Sequence, residues 1–460
     1  MLNVVLINPS QSTRYPQPPL GLALIAAILE RAKYSVRLID ANALNLQPAD
    51  VAGMAAGADV VGITAMTPTI GAAVNIARHI RQLNSRIRVI IGGPHVTLLP
   101  EETLLASPDI DIICRGESDT TITELLPALE NRLPLDNIAG ISFRRNGNIV
   151  HTAGRTAMVD MDSLPFPAYH LLPLKLYQPH PPHGMASPFA AMVTSRGCPY
   201  RCAYCSKPVF GTKFRAYSPE RVIQEIKYLQ EKFGVKEIAF YDDSFTLDKK
   251  RVHGIADKII ENKLKIAWTC ETRVNLVDKD LLKHMKKSGC YAVAYGIESA
   301  SPEIIKTLQK DITAEQVKVA VRDSREAGLQ VIGYFMLGSP GETPDDIRQT
   351  IDFAKQLKVD FAQFSVTTAF PGTELYDIYM RENKREIRWE DFVYAGTDNP
   401  ATPVFESDKL TRRDLKAWTG RAYRRFYLRP GYFWQRLRRC TSWGEIRMNF
   451  KGFLMLLRSI

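Results

Sequence analysis

Residues 194–207 read TSRGCPYRCAYCSK and bring three cysteines, Cys198, Cys202 and Cys205, into one C-x3-C-x2-C loop. The run just before the loop, Ala191 to Ser195, is short and mostly apolar, which predicts a buried strand. Three thiolates on one loop can bind three irons of a cubane cluster and leave the fourth iron open to a ligand that is not protein. This stretch therefore predicts an open 4Fe–4S site at the end of a strand.

A structural zinc site is the alternative for the same cysteines. Such a site needs four protein ligands, and the nearest histidine, His183, lies in a Pro-rich segment. Zinc is therefore disfavoured on this spacing. The chain has seven cysteines, an odd number that does not suit a secreted disulfide framework and suits a thiolate site in a reducing compartment.

The chain also has the composition of an intracellular protein. Its 460 residues and 45% apolar content predict two or three domains. No stretch approaches the roughly 18 consecutive apolar residues that span a bilayer, and the N terminus leads directly into the strand-like run Asn3 to Asn8. We therefore expect a cytoplasmic protein without a transmembrane segment.

Strand-like and helix-like runs alternate on both sides of the cysteine loop from residue 188 to residue 385. The candidate strands after the first are Glu237 to Tyr241, Ile266 to Cys270, Tyr291 to Ile297, Val331 to Leu337 and Phe361 to Val366. Capping residues mark three helix starts, at Ser218, at Thr313 with Gln316, and at Thr343 with Asp346. Six such units predict a partial (β/α)6 TIM-type barrel.

The motif CPYRCAYC, with the aromatic Tyr204 before its last cysteine, resembles the signature loop of the radical S-adenosylmethionine (SAM) superfamily. The resemblance implies that SAM chelates the open iron through its amino and carboxylate groups. An external reductant would then drive cleavage of SAM to methionine and a 5′-deoxyadenosyl radical.

Polar residues and glycines follow the later strands, where a barrel places its site. They stand in FYDDSF (Asp242 and Asp243), TCETR (Arg273), YGIES (Glu298) and MLGSPGET (Gly338 and Gly341). We expect the two aspartates to accept hydrogen bonds from the SAM ammonium. Arg273 could hold a carboxylate bidentately. Glu298 is expected to accept from ribose hydroxyls, and Gly338 to let the backbone approach the adenine.

A second alternating series occupies residues 1–145 and predicts a doubly wound, Rossmann-like (flavodoxin-like) domain. Its candidate strands are Asn3 to Asn8, Val36 to Asp40, Asp59 to Thr64, Ile87 to Gly92 and Asp111 to Cys114. Ala73, Ile76, Ala77 and Ile80 repeat with the spacing of one apolar helix face. Residues 146–187, rich in Pro and His, are interpreted as an extended linker.

This first domain lacks a G-x-G-x-x-G motif after its first strand, which disfavours a dinucleotide. The motifs PPLGL (18–22), GGPH (92–95) and RGE (115–117) together resemble the cobalamin-binding domain that precedes radical SAM domains in one large class. The alternative is a flavodoxin-like domain without a cofactor. The resemblance implies methylcobalamin as a cofactor, contacted by Leu20, Gly21, Thr64, Met66, Thr67, Gly92, Gly93, Pro94, His95, Gly116 and Glu117.

Many cobalamin proteins supply a lower axial histidine from a D-x-H-x-x-G motif, which this sequence lacks. His95 follows a different strand and is succeeded by Val96 and Thr97. We therefore expect no protein histidine on cobalt.

The net charge of +11 lies entirely in residues 411–460, where 13 Arg and Lys stand against two acidic residues. Residues 386–460 are predicted to form a basic helical C-terminal domain. Three roles stay open for this domain: a structural cap on the barrel, docking of a protein or lipid substrate, and peripheral contact with a membrane surface. Nucleic acid is disfavoured because the remainder of the chain is neutral.

The combined resemblance implies a C-methyltransferase that acts on an unactivated sp3 carbon. Its substrate would be a protein or peptide residue, such as the glutamine methylated in methyl-coenzyme M reductase, or a small molecule or lipid. Two alternatives stay open: a ring-forming enzyme resembling the anaerobic magnesium-protoporphyrin monomethyl ester cyclase, and a cobalamin-binding sensor or carrier.

Overall fold

The computed structural model describes residues 1–11, 15–156, 158–177, 186–382, 389, 392, 405–407 and 409–437. The chain forms two compact units. The first comprises residues 1–177, 207–213 and 387–394, and the second comprises residues 178–206, 214–386 and 395–460. None of the described helices is both long enough and apolar enough to cross a membrane.

The first unit contains one seven-stranded sheet of order β2-β1-β3-β4-β5-β6-β7. Its strands are β1 (Asn3–Asn8), β2 (Ser35–Asp40), β3 (Val60–Thr64), β4 (Arg88–Gly92), β5 (Ile112–Cys114), β6 (Ile141–Arg145) and β7 (Asn148–His151). Its helices are α1 (Leu20–Arg31), α2 (Pro48–Ala55), α3 (Ile70–Leu83), α4 (Pro94–Leu98), α5 (Pro100–Ala106) and α6 (Asp119–Glu130). The parallel order 2-1-3-4-5 confirms the flavodoxin-like fold.

The hairpin β6–β7 differs from the expectation that a linker begins at Asn146. Asn146 (φ 51°) and Gly147 (φ 83°) form the turn, and both have the left-handed backbone that a two-residue hairpin favours. β6 pairs antiparallel with β5 and extends the sheet. Further along, the Tyr177 hydroxyl donates to Asp40 Oδ2 at 2.7 Å. Residues 146–156 and 158–177 thus belong to the first unit, and residues 178–185 lie outside the described part.

The second unit contains a six-stranded parallel sheet of order β15-β14-β13-β12-β11-β8, which confirms the partial barrel. Its strands are β8 (Phe189–Met192), β11 (Glu237–Phe240), β12 (Ala267–Thr272), β13 (Cys290–Glu298), β14 (Gln330–Leu337) and β15 (Phe361–Val366), and a two-stranded ribbon joins β9 (Ser195–Arg196) to β10 (Arg215–Ala216). Its first helices are α7 (Pro219–Phe233), α8 (Lys249–Glu261), α9 (Lys279–Lys287), α10 (Pro302–Thr307), α11 (Ala314–Glu326), α12 (Pro344–Leu357) and α13 (Glu374–Glu382). The predicted caps at Ser218, Thr313 and Thr343 are all present.

Two C-terminal helices follow, α14 (Arg412–Tyr427) and α15 (Pro430–Leu437). Helix α14 packs on the edge strand β15, and Arg436 of α15 lies over the Phe361 ring of that strand at 4.3 Å. The Tyr427 hydroxyl lies 3.0 Å from the Ala362 amide nitrogen and 2.9 Å from its carbonyl oxygen, and Tyr423 accepts from the Phe364 amide. An edge strand exposes such groups, and here tyrosines satisfy them. A structural cap is therefore confirmed for residues 411–437, whereas residues 438–460 lie outside the described part.

Candidate functional site

The cysteine loop follows β8 and β9 and is fixed to the second unit at Ala203. The Ala203 amide donates to the Leu308 carbonyl at 3.0 Å, and its carbonyl accepts from the Leu375 amide at 2.9 Å. Within the loop, the Cys205 amide donates to the Cys202 carbonyl at 3.0 Å and closes a tight turn. Cys198 is buried, whereas Cys202 is half-buried and Cys205 is exposed. The loop is thus anchored while two of its thiols remain accessible.

Asp242 at the end of β11 holds the chain just before this loop. Its carboxylate accepts from the Thr194 amide at 2.8 Å, the Ser195 hydroxyl at 2.6 Å and the Thr194 hydroxyl at 2.9 Å. Burial raises the pKa of this carboxyl, against the opposing charge of Arg251. These partners occupy the buried carboxylate of Asp242, and its contact with the SAM ammonium stays a prediction. The neighbouring Asp243 is exposed.

Tyr204, Glu298 and Lys310 form a buried polar network beside the loop. The Tyr204 hydroxyl donates to Glu298 Oε1 at 2.8 Å, and Lys310 Nζ donates to the same oxygen at 2.7 Å and to the Tyr204 hydroxyl at 2.8 Å. The side chains of Lys310 and Glu298 are each only 7% exposed. Burial and the charge of Glu298 both raise the pKa of Tyr204, so its hydroxyl stays a donor.

The backbone at the end of β13 is shaped to present Glu298. The pairing with β14 shifts between Gly296 and Glu298, which marks a bulge, and Glu298 has a left-handed φ of 66°. A Cβ on Gly296 would lie 2.5 Å from Glu298 Oε1 and 2.6 Å from Lys310 Nζ. Strained residues of this kind cost about 1–3 kcal/mol and cluster at functional sites. Only glycine at position 296 therefore leaves room for this network.

Arg273 lies at the loop, but its partners differ from those expected. Its Nη1 donates to Cys202 Sγ at 3.2 Å, its Nη2 donates to the Lys310 carbonyl, and its Nε donates to Asn275. The guanidinium carbon stacks 3.7 Å from the Tyr200 ring centre. The guanidinium of Arg273 therefore contacts the loop and its surroundings, and its role as a bidentate clamp for a carboxylate stays a prediction.

These side chains fit a 4Fe–4S cluster better than a single metal ion. Among the described residues, no three His, Cys, Asp or Glu side chains are gathered as one ion would require. A cubane places each thiolate on a separate iron, so the sulfur atoms need not converge on one point. The N–H of Arg273 at Cys202 Sγ would stabilise a thiolate that binds iron.

The loop after β14 is closed by Glu342, which sequence analysis did not single out. Glu342 Oε2 accepts from the amides of Gly338 and Ser339, while Oε1 has no hydrogen-bond partner among the described residues. Burial raises the pKa of this carboxyl to about 8, against the opposing hydrogen bonds. A buried carboxyl whose pKa is raised therefore supports this loop.

Replacing Gly338 with alanine should destabilise the protein more than replacing Gly341. Both glycines have left-handed backbones, at φ 85° and 76°, so alanine costs about 1–2 kcal/mol at either position. A Cβ at 338 would also lie 2.5 Å from Leu415 of α14, whereas a Cβ at 341 would meet open space. Overpacking adds about 1–3 kcal/mol at 338 only. Urea denaturation of the two variants measures the difference, and equal losses would contradict the contact.

A polar pair faces the concave side of the barrel sheet. Side chains alternate along strands, and Tyr295 on one face bonds to Ser324 of α11, so Glu271 and Tyr334 lie on the face away from the helices. The Tyr334 hydroxyl donates to Glu271 Oε1 at 2.9 Å, and both side chains are half-buried. Burial raises the pKa of Glu271.

In the first unit, the predicted cobalamin contacts lie at the carboxyl edge of the parallel strands. Gly93 (φ 109°) lets two loops meet, since its Cβ would lie 2.7 Å from the Ala65 carbonyl oxygen. His95 is buried, and its Nδ1 lies 3.2 Å from the Thr67 hydroxyl while its ring packs edge-on against Trp389. Burial lowers the pKa of His95 to about 4, so its ring is neutral.

The remaining predicted contacts surround the same edge. Thr64 and Gly92 end β3 and β4, Leu20 and Pro94 begin α1 and α4, Met66 is 42% exposed, and Glu117 is half-buried. A Cβ on Gly21 or Gly116 would meet no atom within 4 Å. The strand order reverses between β1 and β3, where doubly wound sheets bind ligands. This open, glycine-bearing edge fits a large ligand such as cobalamin.

Comparisons with known proteins find relatives for both units of the chain. A family model described as the radical SAM superfamily matches residues 192–354, and one described as the B12 binding domain matches residues 11–126. An uncharacterized methyltransferase of Pyrococcus horikoshii is 38% identical over 90% of this chain and 88% of its own length. The anaerobic magnesium-protoporphyrin IX monomethyl ester cyclase of Cereibacter sphaeroides is 29% identical over 90% of this chain and 68% of its own length.

Among solved structures, the radical SAM methyltransferase TsrM of Kitasatospora setae, with cobalamin and a [4Fe-4S] cluster bound, superposes with a TM-score of 0.70. It is 19% identical and covers 83% of this chain and 75% of its own. Fold and cysteine loop together define a radical SAM enzyme preceded by a cobalamin-binding domain. The chain belongs to the cobalamin-dependent radical SAM family, in its methyltransferase class, and its cofactors are a 4Fe–4S cluster, SAM and cobalamin.

Proposed function

We propose that this enzyme methylates an unactivated sp3 carbon. The observation that carries the proposal is the three-cysteine loop held beside the Tyr204–Glu298–Lys310 network, in a chain that also has a cobalamin-binding domain. When bound, the cluster and SAM supply a 5′-deoxyadenosyl radical that removes a hydrogen atom from the substrate, and cobalamin supplies the methyl group. Cys198, Cys202 and Cys205 hold the cluster.

Unused hydrogen-bonding capacity in the network supports its role in SAM binding. Glu298 uses only Oε1 for Tyr204 and Lys310, which leaves Oε2 to accept from ribose hydroxyls. Lys310 donates two of its three N–H groups, and the third can reach a carboxylate. Lys310 is therefore a second candidate, beside Arg273, for binding a carboxylate. Gly338 and the exposed Asp243 stay predictions as SAM contacts.

The concave face of the sheet supports a polar substrate. Glu271 and Tyr334 stand there with Gln363 and Ser365, which are exposed. When a substrate removes water from the Glu271 carboxylate, a group that donates hydrogen bonds, such as an amide or an amine, stabilises that carboxylate. This chemistry favours a peptide residue or a polar small molecule over a purely apolar lipid. The glutamine of methyl-coenzyme M reductase stays a sequence-based prediction.

The basic C-terminal helices support a structural role more than substrate binding. Trp418 and Phe426 of α14 and Tyr432 of α15 are buried, so most of their aromatic surface is used for packing. Trp434 is 63% exposed and stays available for contact with a partner or membrane surface.

Ring formation is the second candidate, favoured by the similarity to the Cereibacter sphaeroides cyclase. Isotope labelling separates the two functions. A host fed methyl-deuterated methionine should accumulate a product that carries one fully deuterated methyl group, and that product should be absent from a Cys202→Ala strain. If the compound that disappears in the Cys202→Ala strain carries no labelled methyl group, the result would instead favour cyclisation.

A further inference from the structure

Helix α14 carries exposed cations along the side that faces away from the barrel. Its inner face packs on the barrel through four buried side chains, Leu415, Trp418, Ala422 and Phe426. The exposed cations on the opposite side are Arg413, Lys416, Arg421 and Arg424. The only acidic residue of the helix, Asp414, accepts from the amide and the hydroxyl of Thr411 at the N-cap. The outer face of α14 is therefore basic, while its inner face caps the barrel.

Exposed aromatic side chains follow directly on α15. The Tyr432 hydroxyl anchors this helix by donating to the Asp360 carbonyl oxygen at 3.0 Å. Phe433 and Trp434 are nevertheless 46% and 63% exposed, and Leu428, between the two helices, is 39% exposed. Among the described residues, no other Phe or Trp side chain is exposed. Apolar surface is thus grouped beside the cations of α14, whereas single exposed apolar residues are scattered over an ordinary protein surface.

The sequence after Leu437 has a similar composition. Residues 438–460 contain five Arg and Lys against one acidic residue, Glu445, and Trp443, Phe450 and Phe453 stand among them. The whole net charge of +11 lies in residues 411–460. Basic and aromatic residues are therefore concentrated in the same segment of the chain.

An anionic membrane surface accounts for both features of this segment. Its headgroups attract Arg and Lys, and its interfacial layer takes Trp, Phe and Leu side chains out of water. Trp is enriched at this depth of a bilayer because its ring is apolar and its N–H is polar. An acidic protein would neutralise the same cations, but charge alone gives no reason for Leu428, Phe433 and Trp434 to be exposed beside them.

We propose that α14 and α15 bind the surface of a membrane that contains anionic lipids. The exposed cations of α14 contact the lipid headgroups, and Leu428, Phe433 and Trp434 enter the interfacial layer. Binding of this kind does not depend on the proposed methyl transfer, because none of these residues lies in the cysteine loop or in the SAM network.

Cosedimentation of the cluster-loaded holoenzyme with lipid vesicles tests this surface. The enzyme should bind vesicles made of equal parts of phosphatidylcholine and phosphatidylglycerol, and pure phosphatidylcholine at least about tenfold more weakly. Added salt should weaken binding to the anionic vesicles. The Phe433→Ser/Trp434→Ser variant should bind them at least about tenfold more weakly, because less apolar surface leaves water. Arg413→Gln/Lys416→Gln should lose about fivefold for each cation removed.

Leu105→Ser/Leu133→Ser provides the matched control, since these two leucines are 67% and 55% exposed on the first unit. This variant should bind anionic vesicles as the wild type does. All three variants should keep the wild-type melting temperature, because the replaced side chains are exposed.

The proposal is overturned if the wild type does not bind anionic vesicles, or if it binds neutral vesicles equally well. It is equally overturned if Phe433→Ser/Trp434→Ser keeps wild-type affinity, or if the control variant loses as much. Binding of polyglutamate without any binding of vesicles would assign the surface to an acidic protein and would also overturn it.

Discussion

Replacing Cys202 with alanine is expected to abolish 5′-deoxyadenosine formation and to lower the iron and sulfide content of the purified protein. Cys202 is the loop thiol that accepts from Arg273, so its loss removes one of three iron ligands together with the stabilising N–H contact. Iron and sulfide analysis, together with chromatographic detection of deoxyadenosine under anaerobic conditions, measures both effects.

Cys290→Ala is the matched control, because Cys290 is equally a free thiol but is buried at the start of β13. This variant should keep its cluster and its deoxyadenosine formation. A Cys202→Ala protein that still cleaves SAM at the wild-type rate would refute the assignment of the loop.

Lys310→Met should be the most destabilising change in the SAM network. It leaves the carboxylate of Glu298 buried without its cation, and breaking a buried pair in this way costs about 3–5 kcal/mol. The Lys310→Met/Glu298→Gln double variant should recover part of that loss, since no charge is then left unpaired. Urea denaturation of these two variants and of the Glu298→Gln single variant gives the stabilities, and a SAM-binding assay should show weaker binding for all three.

An exposed ion pair supplies the control for this cycle. Lys279 and Glu326 are 2.6 Å apart but 52% and 47% exposed, so Lys279→Met should remain close to the wild type in stability and in SAM binding. Additive losses at Lys310 and Glu298 would show that the two residues do not act as a pair.

Local chemistry made much of the fold predictable. Thr313 and Thr343 begin helices because each side chain pairs with a residue three positions on, Gln316 and Asp346, and no distant contact is needed. Buried parallel strands carry apolar runs that stand out in any sequence, which is why the parallel strands of both sheets were located to within a few residues.

The hairpin β6–β7 was missed although its signal was present. Asn146-Gly147 is the dipeptide that a two-residue hairpin favours, but the Pro-rich text that follows favoured a linker. The two flanking runs are short, and only pairing with β5 makes them part of the sheet.

The site was predictable where a motif is continuous and not where contacts are long-range. The sequence placed Arg273 and Glu298 at strand ends, but it could not tell that Arg273 faces Cys202, 71 positions earlier. Lys310 lies in a turn between two helices, 12 positions beyond Glu298, where a lysine is ordinarily solvated. The sequence also could not tell that Asp242 accepts hydrogen bonds from Thr194 and Ser195, which follow a different strand.

The quantity that tests the proposed methyl transfer most directly is the pair of SAM products formed by the reduced, cobalamin-loaded enzyme under anaerobic conditions. Radical formation releases 5′-deoxyadenosine, and donation of the methyl group from a second SAM releases S-adenosylhomocysteine. Chromatography with mass detection should find both products, with S-adenosylhomocysteine dependent on cobalamin. Deoxyadenosine formed without any S-adenosylhomocysteine would contradict the methyltransferase account and favour the ring-forming alternative.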